Sequence, residues 1–231
     1  MPPDFDEFQR RADLVRAAIS AACAQAGRSP AEVELLAVTK GQPVLAAEFA
    51  ARYGLRAVGE NRVQEGVDKR AQMQGALSWE LIGHLQSNKA RLAAAHFDRI
   101  QSVDSAKLLE VLDRAAAELG RTLPVLLQVN TGQDPAKSGA DPEAAPQLLQ
   151  AALGRKNLRV DGLMTIAPLS PDPDVARRTF ARLRELRDRL ESEGGVRLRE
   201  LSMGMSGDLE AAVAEGSTMV RVGSALFGAR Q

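Results

Sequence analysis

The hydrophobic pattern of the chain predicts one long helix followed by short strands and helices in alternation. Residues 5 to 26 place apolar side chains, among them Phe8, Val15 and Ile19, at helical spacing until Gly27. Eight apolar segments then have the length and composition of strands: residues 33–40, 56–59, 79–83, 99–103, 123–129, 158–166, 200–203 and 219–223. Helical patterns occur between and after them, near residues 43–52, 61–74, 87–95, 105–119, 142–152, 174–192 and 207–215.

This alternation is typical of βαβ units, and eight strands are the number that closes a TIM barrel. We therefore predict an α/β fold, a single TIM-like (β/α)8 barrel with an extra N-terminal helix, as one domain over residues 1–231. A doubly wound sheet is the alternative. The proline-rich segment 167–173 is interpreted as a long loop, in which Asp172 or Asp174 caps the next helix.

Composition narrows the classes of partner. Thirty Lys and Arg balance thirty Asp and Glu, and no charged block favours nucleic acid or an anionic membrane. The single cysteine, Cys23, lies in an amphipathic stretch and is interpreted as a core residue. The first residues lack the pattern of a secretory signal, and no apolar run is long enough for a membrane span. We expect a cytoplasmic protein.

The first candidate for chemistry is Lys40. It ends the apolar run that begins at Glu34, and a turn signal, Gly41-Gln42-Pro43, follows it. A lysine amine desolvated at a barrel mouth has a lowered pKa and can attack a carbonyl group. A solvated lysine at the end of a strand is the alternative interpretation.

The loops after strands seven and eight resemble a phosphate site. These loops form the commonest phosphate cradle of TIM barrels, because glycines let backbone N–H groups approach the oxygens. Here Ser206 offers a hydroxyl, while Gly223 and Ser224 offer amides. Glycine and serine are also ordinary loop residues, so the pair is weak evidence by itself.

Arg221 is unexpected in a strand. Alternation gives Val220 and Val222 to the helix layer and directs Arg221 into the barrel. A buried guanidinium needs a partner. That partner is either a barrel carboxylate, such as Glu60 or Glu80, or an acceptor on a bound ligand.

A lysine amine and a phosphate cradle at one barrel mouth match the two needs of pyridoxal 5′-phosphate (PLP), a Schiff base for its aldehyde and an anchor for its phosphate. Other phosphorylated ligands fit the cradle alone. Aldolase-type Schiff-base chemistry fits the lysine alone.

Six segments together resemble the pyridoxal phosphate homeostasis proteins of the YggS/PROSC type, which are related to the barrel domain of alanine racemase. They are AVTK (37–40), GENRVQE (59–65), WELIGHLQSNK (79–89), GLMTI (162–166), LSMGMS (201–206) and VRVG (220–223). The resemblance runs from about residue 6 to the C-terminus.

The resemblance implies a role for each candidate residue. Lys40 is the Schiff-base lysine, and Arg221 faces the pyridine nitrogen. The phosphate ligands are Ser206, Gly223 and Ser224, and the pocket is lined by Asn61, His84 and Met203. The implied function is to hold PLP reversibly and to buffer it or deliver it to recipient apo-enzymes, in intracellular vitamin B6 and amino-acid homeostasis.

A low-activity PLP-dependent amino-acid racemase is the alternative function. A racemase needs two bases on opposite faces of the substrate, usually a lysine and a tyrosine from a second domain. The one tyrosine, Tyr53, is predicted at the amino-terminal end of the barrel, and no second domain is evident. His84 and Cys23 are the remaining candidates for a second base. We therefore expect a monomeric binding protein rather than an enzyme. A barrel that binds another phosphorylated metabolite is the third alternative.

Overall fold

A computed structural model describes residues 3–228 and shows eight parallel strands that close into one barrel in chain order. The strands are β1 (Glu34–Val38), β2 (Ala57–Glu60), β3 (Ser78–Leu81), β4 (Arg99–Val103), β5 (Leu123–Gln128), β6 (Leu158–Met164), β7 (Glu200–Ser202) and β8 (Met219–Val222). All eight predicted strands are confirmed. Closure between β1 and β8 excludes the doubly wound sheet.

Helices surround the barrel. They are α1 (Phe5–Gln25), α2 (Leu45–Arg52), α3 (Val63–Gln72), α4 (Ala90–His96), α5 (Ala106–Glu118), α6 (Ala145–Leu153), α7 (Pro173–Gly194), α8 (Leu209–Ala214) and α9 (Ser224–Phe227). The first eight correspond to the predicted helices. The short α9 was not predicted, because four residues are too few to show helical periodicity. Among the described residues, no helix is long and apolar enough to cross a membrane.

The N-terminal helix α1 packs on the outside of the barrel against α8 and α9. Asp4 caps it by accepting a hydrogen bond from the Glu7 amide at 2.8 Å. Its fully buried Phe8 stacks on Phe227, with ring centroids 5.3 Å apart. This packing holds the last helix beside the carboxyl end of β8.

The strands divide the buried side chains between two layers. Leu36 and Val38 belong to a small apolar cluster inside the barrel, together with Ile82 and Met219. Leu35 and Ala37 belong to the larger core between the strands and the helices. Because successive side chains alternate, the inner face of β1 leads on to Lys40 at the barrel mouth.

Two smaller predictions are also confirmed. Asp172 caps α7 by accepting a hydrogen bond from the Asp174 amide at 3.0 Å. Cys23 is fully buried in the core between α1 and the rest of the barrel.

Candidate functional site

A cavity of about 650 Å³ opens at the carboxyl ends of the strands. This volume is typical of a small-molecule site. Seven of the eight predicted site residues line it: Lys40, Asn61, His84, Ser206, Arg221, Gly223 and Ser224. Residues that lie up to 184 positions apart in the chain therefore converge on one cavity.

Met203, the eighth predicted residue, lies elsewhere. Its side chain is fully buried in the core between the strands and the helices. The preceding residue, Ser202, places its hydroxyl inside the barrel, where it contacts Arg221. Alternation then directs Met203 outward, and it is not among the described residues that line the cavity.

Lys40 lies at the turn directly after β1, and its side chain is half-buried. The next residue, Gly41, has a φ of 69°, a left-handed conformation that glycine adopts without strain. In the loop after β3, Gly83 approaches the Asn61 backbone so closely that an added Cβ would lie 2.2 Å from the Asn61 carbonyl oxygen. Glycine at both turns lets the backbone fold tightly around the cavity wall.

Arg221 is buried inside the barrel, as its place in β8 predicted, and neither of the two carboxylates considered as its partner, Glu60 or Glu80, is bonded to it. Its guanidinium donates hydrogen bonds to the Ser202 hydroxyl at 2.7 Å and to the Thr165 carbonyl at 2.8 Å. Glu60 instead pairs with a lysine of α3, at 2.7 Å. Glu80 pairs with Arg99 at 2.9 Å.

The electrostatic states of the two interior arginines therefore differ. Burial lowers the pKa of Arg221 to about 10, and attraction to Asp208 opposes this only in part. Burial also disfavours the Arg99 cation, but the carboxylates of Glu80, Glu200 and Glu34 together outweigh it and raise the pKa of Arg99. Arg221 is thus a buried cation held mainly by neutral acceptors, whereas Arg99 is part of an ion pair.

A chain of hydrogen bonds joins these two arginines through the barrel interior. Ser202 donates to the Gln101 side-chain carbonyl at 2.6 Å, and the Gln101 amide donates to Glu80 at 2.5 Å. Sequence reasoning did not identify Ser202, Gln101 or Thr165. The available signal was a polar residue, Gln101, in the middle of a buried strand.

The loops after β7 and β8 meet at two hydroxyl groups. The Ser206 and Ser224 hydroxyl oxygens lie 3.2 Å apart, and the Ala225 amide points to Ser206 at 3.4 Å. Asp208 shapes the first loop by accepting a hydrogen bond from the Met205 amide at 2.5 Å. An added Cβ on Gly207 would meet nothing within 4 Å, so this loop leaves open space in front of its backbone.

The charged groups of the cavity are cationic. Lys40, Arg221 and Lys137 line it, and the described lining includes no aspartate or glutamate. His84 lies at the rim, where its Nδ1 atom is 3.5 Å from a carboxylate oxygen of Asp104. Such a site favours an anionic ligand, and the hydroxyl and amide donors at Ser206 and Ser224 suit a phosphate.

Tyr53 caps the carboxyl end of α2, and it is not among the described residues that line the cavity. Its hydroxyl donates a hydrogen bond to Asp13 at 2.6 Å, and its ring meets Phe8 edge-on. Burial and the hydrogen bond to Asp13 raise the pKa of Tyr53 to about 12. This tyrosine is occupied in anchoring α1.

Comparison with known proteins agrees with the geometry. The family model described as alanine racemase, N-terminal domain, matches residues 14–231. A pyridoxal phosphate homeostasis protein from Pseudomonas aeruginosa is 45% identical over 217 residues, which is 94% of this chain and 93% of the relative. The chain belongs to the pyridoxal phosphate homeostasis protein family. The Escherichia coli K12 member of this family is 44% identical over 225 residues, 94% of each chain.

Solved structures show the same barrel. PipY from Synechococcus elongatus, solved with PLP bound, is 43% identical, and the match has a TM-score of 0.81 and covers 91% of this chain and all of that one. An alanine racemase from Clostridium difficile is 16% identical, with a TM-score of 0.80 over 96% of this chain and 56% of its own. The racemase shares the fold, and the resemblance inferred from sequence is confirmed.

The contrast between Arg221 and Arg99 predicts that substituting them affects stability differently. Burial lowers the pKa of Arg221 to about 10, which corresponds to a cost of roughly 3 kcal/mol for keeping its cation in the folded protein. Arg221→Met removes this cost together with two hydrogen bonds, so we expect a free energy of unfolding within about 1 kcal/mol of the wild type, or higher. Arg99→Met leaves Glu80 buried without its cation and should lower that free energy by about 3–5 kcal/mol.

Urea unfolding of the ligand-free proteins measures both variants. Equal destabilisation by Arg221→Met and Arg99→Met would show that the cost of burying the Arg221 charge is compensated as fully as that of Arg99.

Proposed function

We propose that this protein holds PLP as a Schiff base on Lys40 and delivers it to apo-enzymes that require it. One observation carries the proposal. A lysine side chain and a set of phosphate donors face one cavity, whose described lining contains cations and no carboxylates. PLP needs both features, whereas another phosphorylated ligand needs only the donors.

The residues divide between the two ends of the cofactor. PLP supplies an aldehyde carbon that a lysine amine can attack, and Lys40 is the residue we assign to it. At the phosphate end, Ser206 offers its hydroxyl, while Gly223 and Ser224 offer groups at the start of α9. Arg221 is assigned to the pyridine nitrogen. Asn61 and His84 line the remaining wall.

The position of Arg221 supports a carrier. A ring nitrogen that faces a guanidinium is hard to protonate, and an unprotonated ring withdraws electrons poorly from a bound amino acid. The 43% identical PipY was solved with PLP bound, and the curated relatives carry the name homeostasis protein. Both findings support the binding of PLP in cofactor homeostasis, and we propose reversible storage and supply as the form that this takes. We also propose that the protein is a monomer.

One observation favours the alternative, a low-activity amino-acid racemase. His84 and Asp104 form a pair at the rim, 3.5 Å apart, and a histidine oriented by a carboxylate is a common general base. Tyr53, the usual kind of second base, is held by Asp13 at 2.6 Å and is not among the described residues that line the cavity. The His84 pair is therefore the candidate on which this alternative depends.

The assignment of Lys40 can be tested by substitution. Wild-type protein incubated with PLP should show a visible absorption band, and borohydride should then label the peptide that contains Lys40. Lys40→Ala should lose both signals, because the attacking amine is gone. Lys137→Ala removes the other lysine among the described residues that line the cavity, and this variant should retain both signals.

A band that persists in Lys40→Ala, with label on a different lysine, would contradict the assignment.

The phosphate cradle predicts a ligand-specific loss. Ser206→Ala removes one hydroxyl among several donors, so the affinity for PLP should fall by roughly 1.5–3 kcal/mol, the value of a hydrogen bond to a charged group. The affinity for pyridoxal, which lacks the phosphate, should not change. Equilibrium titration followed by absorbance measures both ligands, and an equal loss toward both would show that Ser206 does not contact the phosphate.

A further inference from the structure

A largely buried group of charged and polar residues lies directly behind the turn that carries Lys40. We call it the Lys69 cluster, and it consists of Thr39, Glu60, Glu65 and Lys69. Lys69 is only 7% exposed, which is unusual for a lysine unless it is paired. Its ammonium group donates three hydrogen bonds, each 2.7 Å long, to Glu60, to Glu65 and to the Thr39 carbonyl. All three donors of the ammonium are used.

The Lys69 cluster holds the peptide groups on both sides of Lys40. On one side, the Thr39 carbonyl accepts the hydrogen bond from Lys69 at 2.7 Å. On the other side, the Gly41 amide donates to the Glu65 carboxylate at 2.5 Å. The Thr39 hydroxyl also donates to Glu60, at 2.6 Å. Charge-assisted bonds of this kind are stronger than neutral ones, so α3 fixes the backbone before and after Lys40.

Stability alone gives little reason for this arrangement. Two carboxylates share one ammonium, and Glu60 is fully buried. Burial raises the pKa of Glu60, although the hydrogen bonds from Lys69 and Thr39 act to lower it. Buried ion pairs are often no more stabilising than apolar residues of the same size. What the cluster does provide is a fixed backbone geometry at one position, Lys40.

We propose that Lys69 and Glu65 are positioning residues for Lys40. They hold the flanking peptide groups so that the lysine side chain enters the cavity along one path, toward the place where an aldehyde would lie. This inference rests on the proposed function. Effective attack requires the reacting atoms to be held in a narrow range of geometries, and small displacements cost much of the rate.

Glu65 is the better residue to change. Removing Lys69 would leave Glu60 and Glu65 without their cation, and such a variant is at risk of unfolding. The Glu65 side chain is 25% exposed, and its removal leaves Lys69 bonded to Glu60 and Thr39. Glu65→Ala therefore releases the Gly41 amide while most of the cluster remains.

The test compares Schiff-base formation with simple binding. Glu65→Ala should form the Schiff base with PLP about tenfold more slowly than wild type, because one strong hydrogen bond that fixes the turn is lost. Its affinity for pyridoxine 5′-phosphate, which has the phosphate but no aldehyde, should be unchanged. Glu65→Gln keeps an oxygen that can accept from Gly41 and should recover most of the rate. Asp68→Ala, an exposed residue of the same helix, should behave as wild type.

Borohydride trapping at timed intervals, followed by mass spectrometry of the Lys40 peptide, gives the rate. A wild-type rate in Glu65→Ala would overturn the inference. So would an equal loss of rate and of pyridoxine 5′-phosphate affinity, since that result indicates general damage to the cavity. If wild-type protein itself acquires no label on Lys40, the proposed function fails, and the positioning role fails with it.

Discussion

Closure of the eight-stranded sheet decides which side chains reach the cavity. Once β1 pairs with β8, each strand must place alternate side chains in a narrow interior and the others against the helices. The inner face of β1 holds Leu36 and Val38 and leads to Lys40, and Arg221 of β8 pairs in register with Leu36. The lysine and the arginine therefore meet the same cavity because β1 and β8 are paired neighbours in the closed barrel.

The interior of this barrel is polar along one line. Hydrogen bonds run from Arg221 through Ser202 and Gln101 to the Glu80–Arg99 pair. Arg99 at one end is paired with a carboxylate, whereas Arg221 at the cavity end is bonded to a hydroxyl and a carbonyl. A guanidinium that is hydrogen-bonded to neutral groups keeps its charge available to attract an acceptor on a ligand. Behind Lys40, charged residues of α3 bond to the backbone on either side of the lysine, while the Lys40 side chain faces the cavity.

Much of the fold was predictable, because hydrophobic periodicity is a local property. The eight strands and the long N-terminal helix each repeat their pattern over enough residues to be recognised, whereas α9 has only four. The convergence of Lys40 with the loops after β7 and β8 followed from the rule that barrel sites lie at the carboxyl ends of strands.

Partners in space were harder to predict. Alternation places Arg221 inside the barrel, but Glu60, one of the alternatives for its partner, faces α3 and binds Lys69. The family resemblance implies that Met203 lines the pocket, because it lies in the LSMGMS segment. In the structure it follows the inward-facing Ser202 and packs in the core between the strands and the helices. The burial of Lys69 could not be predicted from the sequence, because a lysine on a polar helix is normally a surface residue. These features depend on which groups from distant segments meet.

The central claim is that the protein carries PLP and does not turn over an amino acid. The most direct measurement mixes PLP-loaded protein with L-amino acids in deuterium oxide and follows exchange of the α-proton, while a parallel sample measures transfer of the cofactor to an apo-enzyme. A carrier should transfer the cofactor faster than it exchanges the α-proton of the amino acid. Racemised product that forms at about 1 s⁻¹ or faster, on the scale of ordinary enzymes, would contradict the carrier and favour the racemase.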